Sequence, residues 1–268
     1  MKKEKSRDNL TAEIHRFPGE AAYKRGLYTV PFPLETDRWE GRNIMLKEHA
    51  IIFDLDGTLL NTLDDLTTSV NAAMKAAGLK SRTREEVRQF VGNGVMKLIE
   101  RCVPDGQENP QFKKAYGTFR MHYAAHCRVK TAPYDGIIQL LGRLRAQGVP
   151  VAVVSNKFDA AVKKLCDAYF PGLIPVVIGE RDGVRPKPAP DTVLSALKQL
   201  HMTPDKAIYI GDSEVDIETA KNAGTEQISV CWGFKDRAFL EEHGAKRIVE
   251  NTDELYQTLE KMTFASED

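Results

Sequence analysis

The 268-residue chain lacks an excess of either charge. Lys plus Arg and Asp plus Glu both number 38, so the formal net charge is zero. A balanced chain carries no broad electrostatic footprint for nucleic acid or acidic lipid. Cysteine is scarce too. Cys102, Cys127, Cys166 and Cys231 are scattered, with no C-x-x-C pair. That spacing excludes a disulfide framework or a zinc knuckle and fits a reducing, cytoplasmic setting. No apolar run approaches the ~20 residues of a membrane span. The start, MKKEKSRDNL, is basic but leads into no apolar stretch, so it is not expected to be a secretory signal. Repeats and low-complexity tracts are absent. What is present is ordinary globular composition, 42% hydrophobic and 28% charged, enough to bury a core.

Residues 1–44 differ from the rest. They are charged, carry Pro18, Pro31 and Pro33, and sustain no period, except for the short stretch TAEIHRF. They are read as an irregular extension. A compact domain begins near Met45, in MLKEHAIIFDLDG. Helical periods then follow over Asp64–Gly78, Arg84–Phe90, Val95–Cys102 and Gln111–His126, about 70 residues with almost no strand signal. From Ile137 the pattern alternates. Helices are predicted at Ile137–Gln147, Asp159–Ala168, Asp191–Leu200, Glu214–Ala223, Arg237–His243 and Thr252–Lys261. Strands are predicted at Val149–Ser155, Ile174–Ile178, Ala207–Asp212 and Gln227–Trp232. Alternation of this kind implies right-handed crossovers and a parallel sheet covered on both faces. The expected fold is α/β and Rossmann-like, with a core of 45–61 and 133–268 and an inserted helical domain at 62–132.

In such sheets the chemistry gathers at the carboxyl ends of the strands. Here the strand ends read Asp54-Leu55-Asp56-Gly57, Ser155-Asn156-Lys157, Arg185-Pro186-Lys187-Pro188 after the third strand, and Gly211-Asp212 with Asp216 one helical turn on. Two carboxylates ~5 Å apart repel by roughly 3 kcal/mol at an effective dielectric of about 20. Converging Asp54, Asp56 and Asp212 therefore call for a cation, and a hard divalent ion such as Mg²⁺ suits oxygen ligands. Such an ion attracts a phosphate, whose other oxygens Lys187 and the Ser155 hydroxyl could hold. Asp54 and Asp56 are aimed differently by the turn. One carboxylate can attack phosphorus while the other passes a proton to the leaving oxygen.

DLDGT, VVSN, the lysine of RPKPAPD and GDSEVD, in that order and spacing, resemble the four motifs of the haloacid dehalogenase superfamily of phosphohydrolases. The resemblance implies Asp54 as nucleophile, Asp56 as general acid and base, and Ser155, Asn156 and Lys187 as phosphate binders. It implies Mg²⁺ held by Asp54, Asp212 and the backbone carbonyl of Asp56, with Asp216 positioning water or Lys187. The helical insertion matches the family's cap. Within that cap FVGNGVMKLIERCV, and later CWGFKDRAFLEEHGAKRIVENTDEL, look like phosphoglycolate phosphatases.

Other residues admit plainer readings. Gly92-Asn93-Gly94 is either a turn between helices or a cap loop touching substrate. His122 and His126 are spaced i, i+4 but lack a third ligand, and read as a surface pair. Trp232 and Phe234 read as packing. The expectation is a Mg²⁺-dependent phosphatase acting on a small phosphorylated metabolite, with no nucleic-acid or membrane partner. A sugar phosphomutase, a pyrophosphatase or nucleotidase of the same fold, and a non-catalytic binding protein are the alternatives.

Overall fold

The structure, a computed structural model, describes residues 46–264. The extension read over 1–44, with its TAEIHRF stretch, lies outside the described residues. Six parallel strands form one sheet in the order β5-β4-β1-β6-β7-β8. They are β1 Ala50–Phe53, β4 Val151–Phe158, β5 Val176–Glu180, β6 Ala207–Gly211, β7 Glu226–Val230 and β8 Ile248–Val249. β1 lies at the centre, registered Ile52↔Ala152 on β4 and Ile52↔Tyr209 on β6.

All four residues of β1 are buried because both faces of the sheet are covered. Ile51 and Phe53 join a large cluster with Ile137, Leu140, Leu141 and Leu144 of α5 (Ile137–Ala146). Ala50 and Ile52 face Val193, Ala196 and Leu197 of α7 (Asp191–Leu200), and Ala220 and Ala223 of α8 (Glu214–Ala223). The remaining helices of this part are α6 Asp159–Tyr169, α9 Arg237–Glu242 and α10 Thr252–Phe264.

Four helices lie between two short strands, β2 Leu60–Asn61 and β3 Ala132–Pro133: α1 Leu63–Ala77, α2 Arg84–Phe90, α3 Gly94–Cys102 and α4 Phe112–His126. In α1 the buried Leu66, Val70, Ala73, Met74 and Ala77 repeat at helical spacing. It stops where Gly78 adopts φ 71°, closing bonds to Lys75 and Met74 carbonyls. α2 opens on a capping box of Thr83 and Glu86. The apolar face of α1 packs on α4, with Ala115, Phe119 and Tyr123 buried.

The way into and out of this helical segment is tied twice. β2 and β3 pair antiparallel, Leu60↔Pro133 and Asn61↔Ala132. The buried Asp65 carboxylate on α1 accepts backbone N–H groups of Val129, Lys130 and Thr131 at 2.9–3.0 Å, and the Thr131 hydroxyl at 2.8 Å.

The two-residue strands β2, β3 and β8 are not among the expected elements, and β4 and β5 end later than expected. β4 runs three residues past Ser155, because Asn156 and Lys157 find buried partners that polar strand residues need. β8 was not foreseen; two residues are too few to show a period.

Candidate active site

The carboxyl ends of β1, β4 and β6 open on one pocket. It is lined by Asp54, Asp56, Ser155, Asn156, Lys157, Lys187, Asp212, Ser213 and Asp216 on the sheet side. Val91, Gly92, Gly94, Val95 and Leu98 close it from the helical segment. Every strand-end residue singled out in the sequence as catalytic, phosphate-binding or metal-binding reaches this pocket.

The turn after β1 separates the two leading carboxylates. Asp54 continues the strand, its N–H donating to Ile210 O at 2.8 Å. Leu55 is fully buried, and Gly57 turns the chain at φ +94°. A side chain at Gly57 would start 2.2 Å from Asp212 Oδ2, so only glycine lets the two strand ends approach this closely. Asp54 Oδ1 accepts from Lys187 Nζ at 2.7 Å. Asp56 instead accepts from the Thr62 hydroxyl at 2.6 Å and, through both oxygens, from Lys157 Nζ at 2.7 Å.

Lys187 is held from several sides. The Asn156 side chain donates to Lys187 O at 2.9 Å and accepts its N–H at 2.7 Å. Both polar groups of that amide are thus spent on bracing the loop. The ammonium also donates to Asp216 Oδ1 at 2.8 Å and Tyr209 Oη at 2.9 Å, and Tyr209 donates onward to Asp216 Oδ1 at 3.0 Å. Asp216 accepts from Ser213 N and Oγ as well, so it caps α8 and orients Lys187 at once. Asp212 accepts Phe234 N–H at 2.7 Å and the Thr58 hydroxyl at 3.3 Å. Phe234, expected only to pack, therefore touches the site through its backbone and lines the pocket. Trp232 anchors the same turn by donating to Thr58 O at 3.0 Å.

Carboxylate oxygens of Asp54, Asp212 and Asp216 lie within 4.8 Å of one another, all buried. Against three carboxylates stands one ammonium, Lys187. Burial pushes Asp54 up from 3.8 to about 7, with Asp216 and Asp56 adding to it and Lys187 opposing. Burial, then Asp216 and Asp54, also raises Asp212 well above the usual carboxylate range. Burial disfavours the Lys187 cation, but Asp216 and Asp54 outweigh that and hold it well above its ordinary value. Fully ionised, the three carboxylates would carry two negative charges beyond what Lys187 neutralises, and the raised Asp54 and Asp212 show that burial resists that charge without a cation. A hard divalent cation on oxygen ligands fits that deficit.

The remaining expectations are met unevenly. Gly92 and Gly94 line the pocket, whereas the Asn93 side chain accepts from Arg101 at 2.7 Å outside it. His122 and His126 stack at 4.1 Å, with His122 facing Ser69 Oγ at 3.0 Å. Tyr209, Thr58 and Thr62 have no place in the sequence reading, and Lys157 stands in it as the last residue of a strand end with no role of its own. Strand alternation was the available signal for Lys157, since i, i+2 spacing puts it on the same face as Ser155. Tyr209 was hidden within an apolar run.

A sequence profile of the haloacid dehalogenase-like hydrolases matches residues 51–230. The phosphoglycolate phosphatase of Aquifex aeolicus is 35% identical over 187 residues, covering 69% of this chain and 85% of that protein. The N-acetylmuramic acid 6-phosphate phosphatase of Pseudomonas aeruginosa is 30% identical over 214 residues, covering 79% and 95%. A solved structure of a candidate phosphoglycolate phosphatase from Lactobacillus delbrueckii subsp. bulgaricus aligns with TM-score 0.77 at 37% identity, over 80% of this chain and 98% of that one. The chain belongs to the haloacid dehalogenase-like hydrolases, as an enzyme of their phosphatase type.

Proposed function

We propose that this enzyme hydrolyses small phosphomonoesters that also carry a carboxylate, phosphoglycolate foremost, with Mg²⁺ as cofactor and a phospho-Asp54 intermediate. The observation that carries the chemistry is the buried group of Asp54, Asp212 and Asp216 at the pocket floor, three carboxylates that share the single ammonium of Lys187 and would be two charges short of neutrality when ionised. Asp54, Asp212 and the backbone carbonyl of Asp56 would hold the ion, with Asp216 kept for Lys187. When bound, Mg²⁺ supplies positive charge against the phosphoryl oxygens and the carboxylates.

An Asp54 oxygen attacks phosphorus in line as the ester P–O bond breaks. Asp56 gives a proton to the departing oxygen, then takes one from the water that cleaves phospho-Asp54 and frees inorganic phosphate. Ser155 and Lys187 hold the phosphoryl oxygens, and Asn156 acts by fixing Lys187. Residues 62–132 serve as a cap over a core of 45–61 and 133–268, with Gly92 and Gly94 the cap's approach to substrate. The cytoplasm is the proposed compartment, supported by the four unbonded cysteines.

A carboxylate-bearing substrate is supported by two facts. The two named relatives differ in the size of their substrates, yet both substrates are carboxylic acids. Lys235 lines the pocket, donates to the Gln89 carbonyl at 3.2 Å and stands 5.0 Å from the centre of the Phe239 ring. Burial pulls its ammonium below the ordinary range, an imbalance that a bound anion relieves. The second reading is a carboxylated sugar phosphate, favoured by the Pseudomonas relative.

Phosphate release from a panel of esters, with and without Mg²⁺, tests the proposal. The panel holds phosphoglycolate, N-acetylmuramic acid 6-phosphate, hexose phosphates, nucleotides and pyrophosphate. Metal-dependent release that favours the carboxylated esters is expected. An isomerised sugar phosphate without free phosphate would replace hydrolysis with mutase chemistry.

A further inference from the structure

Lys157 has no part in the chemistry set out above, yet it is buried at the pocket wall and pairs symmetrically with one carboxylate. Its Nζ donates to both oxygens of Asp56 at 2.7 Å, with the lysine side chain 4% and the aspartate side chain 14% exposed. The ammonium also stands 4.7 Å from the centre of the Tyr123 ring, which is buried on α4 in the helical segment. A carboxylate gripped at both oxygens has lost its rotation about the Cβ–Cγ bond. A cation covered by an aromatic face is shielded from water on that side. The chain spends a buried lysine and a cap tyrosine on the aim of one carboxylate.

We propose that Lys157 is a positioning residue for Asp56, supported from the cap by Tyr123, and that it fixes the line along which Asp56 exchanges a proton with the ester oxygen. This rests on the phosphatase reading and on Asp56 as the proton donor. Lys157 then acts on the leaving group through Asp56 and contributes nothing to capture of the phosphate. Its importance must scale with the leaving group's need for a proton. An alkoxide departs only with a proton from Asp56; p-nitrophenolate departs without one.

The test compares kcat/KM for phosphoglycolate and for p-nitrophenyl phosphate, with Mg²⁺, in wild type, Lys157→Met, Asp56→Asn and the double variant. Lys157→Met should lose about 10²-fold on phosphoglycolate and only a few-fold on p-nitrophenyl phosphate, as befits general acid catalysis. In the Asp56→Asn background it should cost little more on either ester. Equal losses on both esters, no loss, or losses that multiply with those of Asp56→Asn would overturn the inference while leaving phosphatase activity standing. Wild-type inactivity on both esters would overturn the phosphatase reading and this inference with it. If circular dichroism shows Lys157→Met unfolded, Tyr123→Leu carries the test, since it keeps both ions and removes the ring. A loss of about 5-fold confined to phosphoglycolate supports the role; the same loss on both esters contradicts it.

Discussion

Lys187 Nζ lies 2.7 Å from Asp54 Oδ1 and 2.8 Å from Asp216 Oδ1, with the lysine side chain only 3% exposed. One ammonium therefore joins the end of β1 to the start of α8, in a place where neither carboxylate meets bulk water. Removing it strands two buried charges. Lys187→Met should abolish turnover and, in the metal-free protein, cost about 3–5 kcal/mol in urea unfolding. A variant as stable as wild type would show that the pair is not a structural link.

The metal-free protein should lose stability as pH rises. The folded Asp54 carboxyl sits at about 7 against an ordinary 3.8, and burial raises Asp212 well above its ordinary value too. A group raised on folding contributes its full stability below its unfolded value and loses it as pH climbs through the folded one. The window for Asp54 is thus about pH 4 to 7. Thermal melts in EDTA at pH 5.5 and 8.0 should show the lower Tm at pH 8.0, and added Mg²⁺ should narrow the gap. A gap unchanged by Mg²⁺ would contradict the account.

Gly57→Ala should be costly for its size. Its Cβ would start 2.2 Å from Asp212 Oδ2, at φ +94°. Backbone strain alone is on the order of 2 kcal/mol, and Asp212 must move besides. Calorimetry of Mg²⁺ binding should show weaker affinity; wild-type affinity would place Asp212 outside the metal site.

Asp65→Ala leaves the backbone N–H groups of Val129, Lys130 and Thr131 without their acceptor. Those bonds join α1 to the chain's return from α4. A loss on the order of 3 kcal/mol is expected in chemical denaturation, because hydrogen bonds to a buried charge are the strong kind. A loss under about 1 kcal/mol would mean the β2–β3 pairing suffices alone.

Lys235→Met should raise KM for phosphoglycolate about 10-fold, the loss of one partly exposed charged contact. KM for ethyl phosphate, which has no carboxylate, should hardly change. Equal shifts for both would remove Lys235 from carboxylate recognition.

The order of strands and helices was legible where each element buries one consistent face. Arg84–Phe90 and Glu214–Ala223 stand where the sequence puts them, opening on capping boxes, and Asp191–Leu200, which has no side-chain N-cap bond, is placed by its apolar spacing. β4 read short because polar residues at a strand end resemble a loop until their partners are known. The meeting of Asp54, Asp212 and Lys187 was foreseeable, since parallel strands bring their carboxyl ends to one edge. The Asp56–Lys157–Tyr123 arrangement was not. It joins α4 to β4, and how an inserted helix docks on a strand leaves no mark in the period of either.

The measurement closest to the central claim is Mg²⁺-dependent phosphate release from phosphoglycolate by wild type and by Asp54→Asn, with circular dichroism showing both folded. Turnover by wild type, lost in Asp54→Asn and absent in EDTA, is the predicted result. Undiminished release by Asp54→Asn would contradict a phospho-Asp54 intermediate.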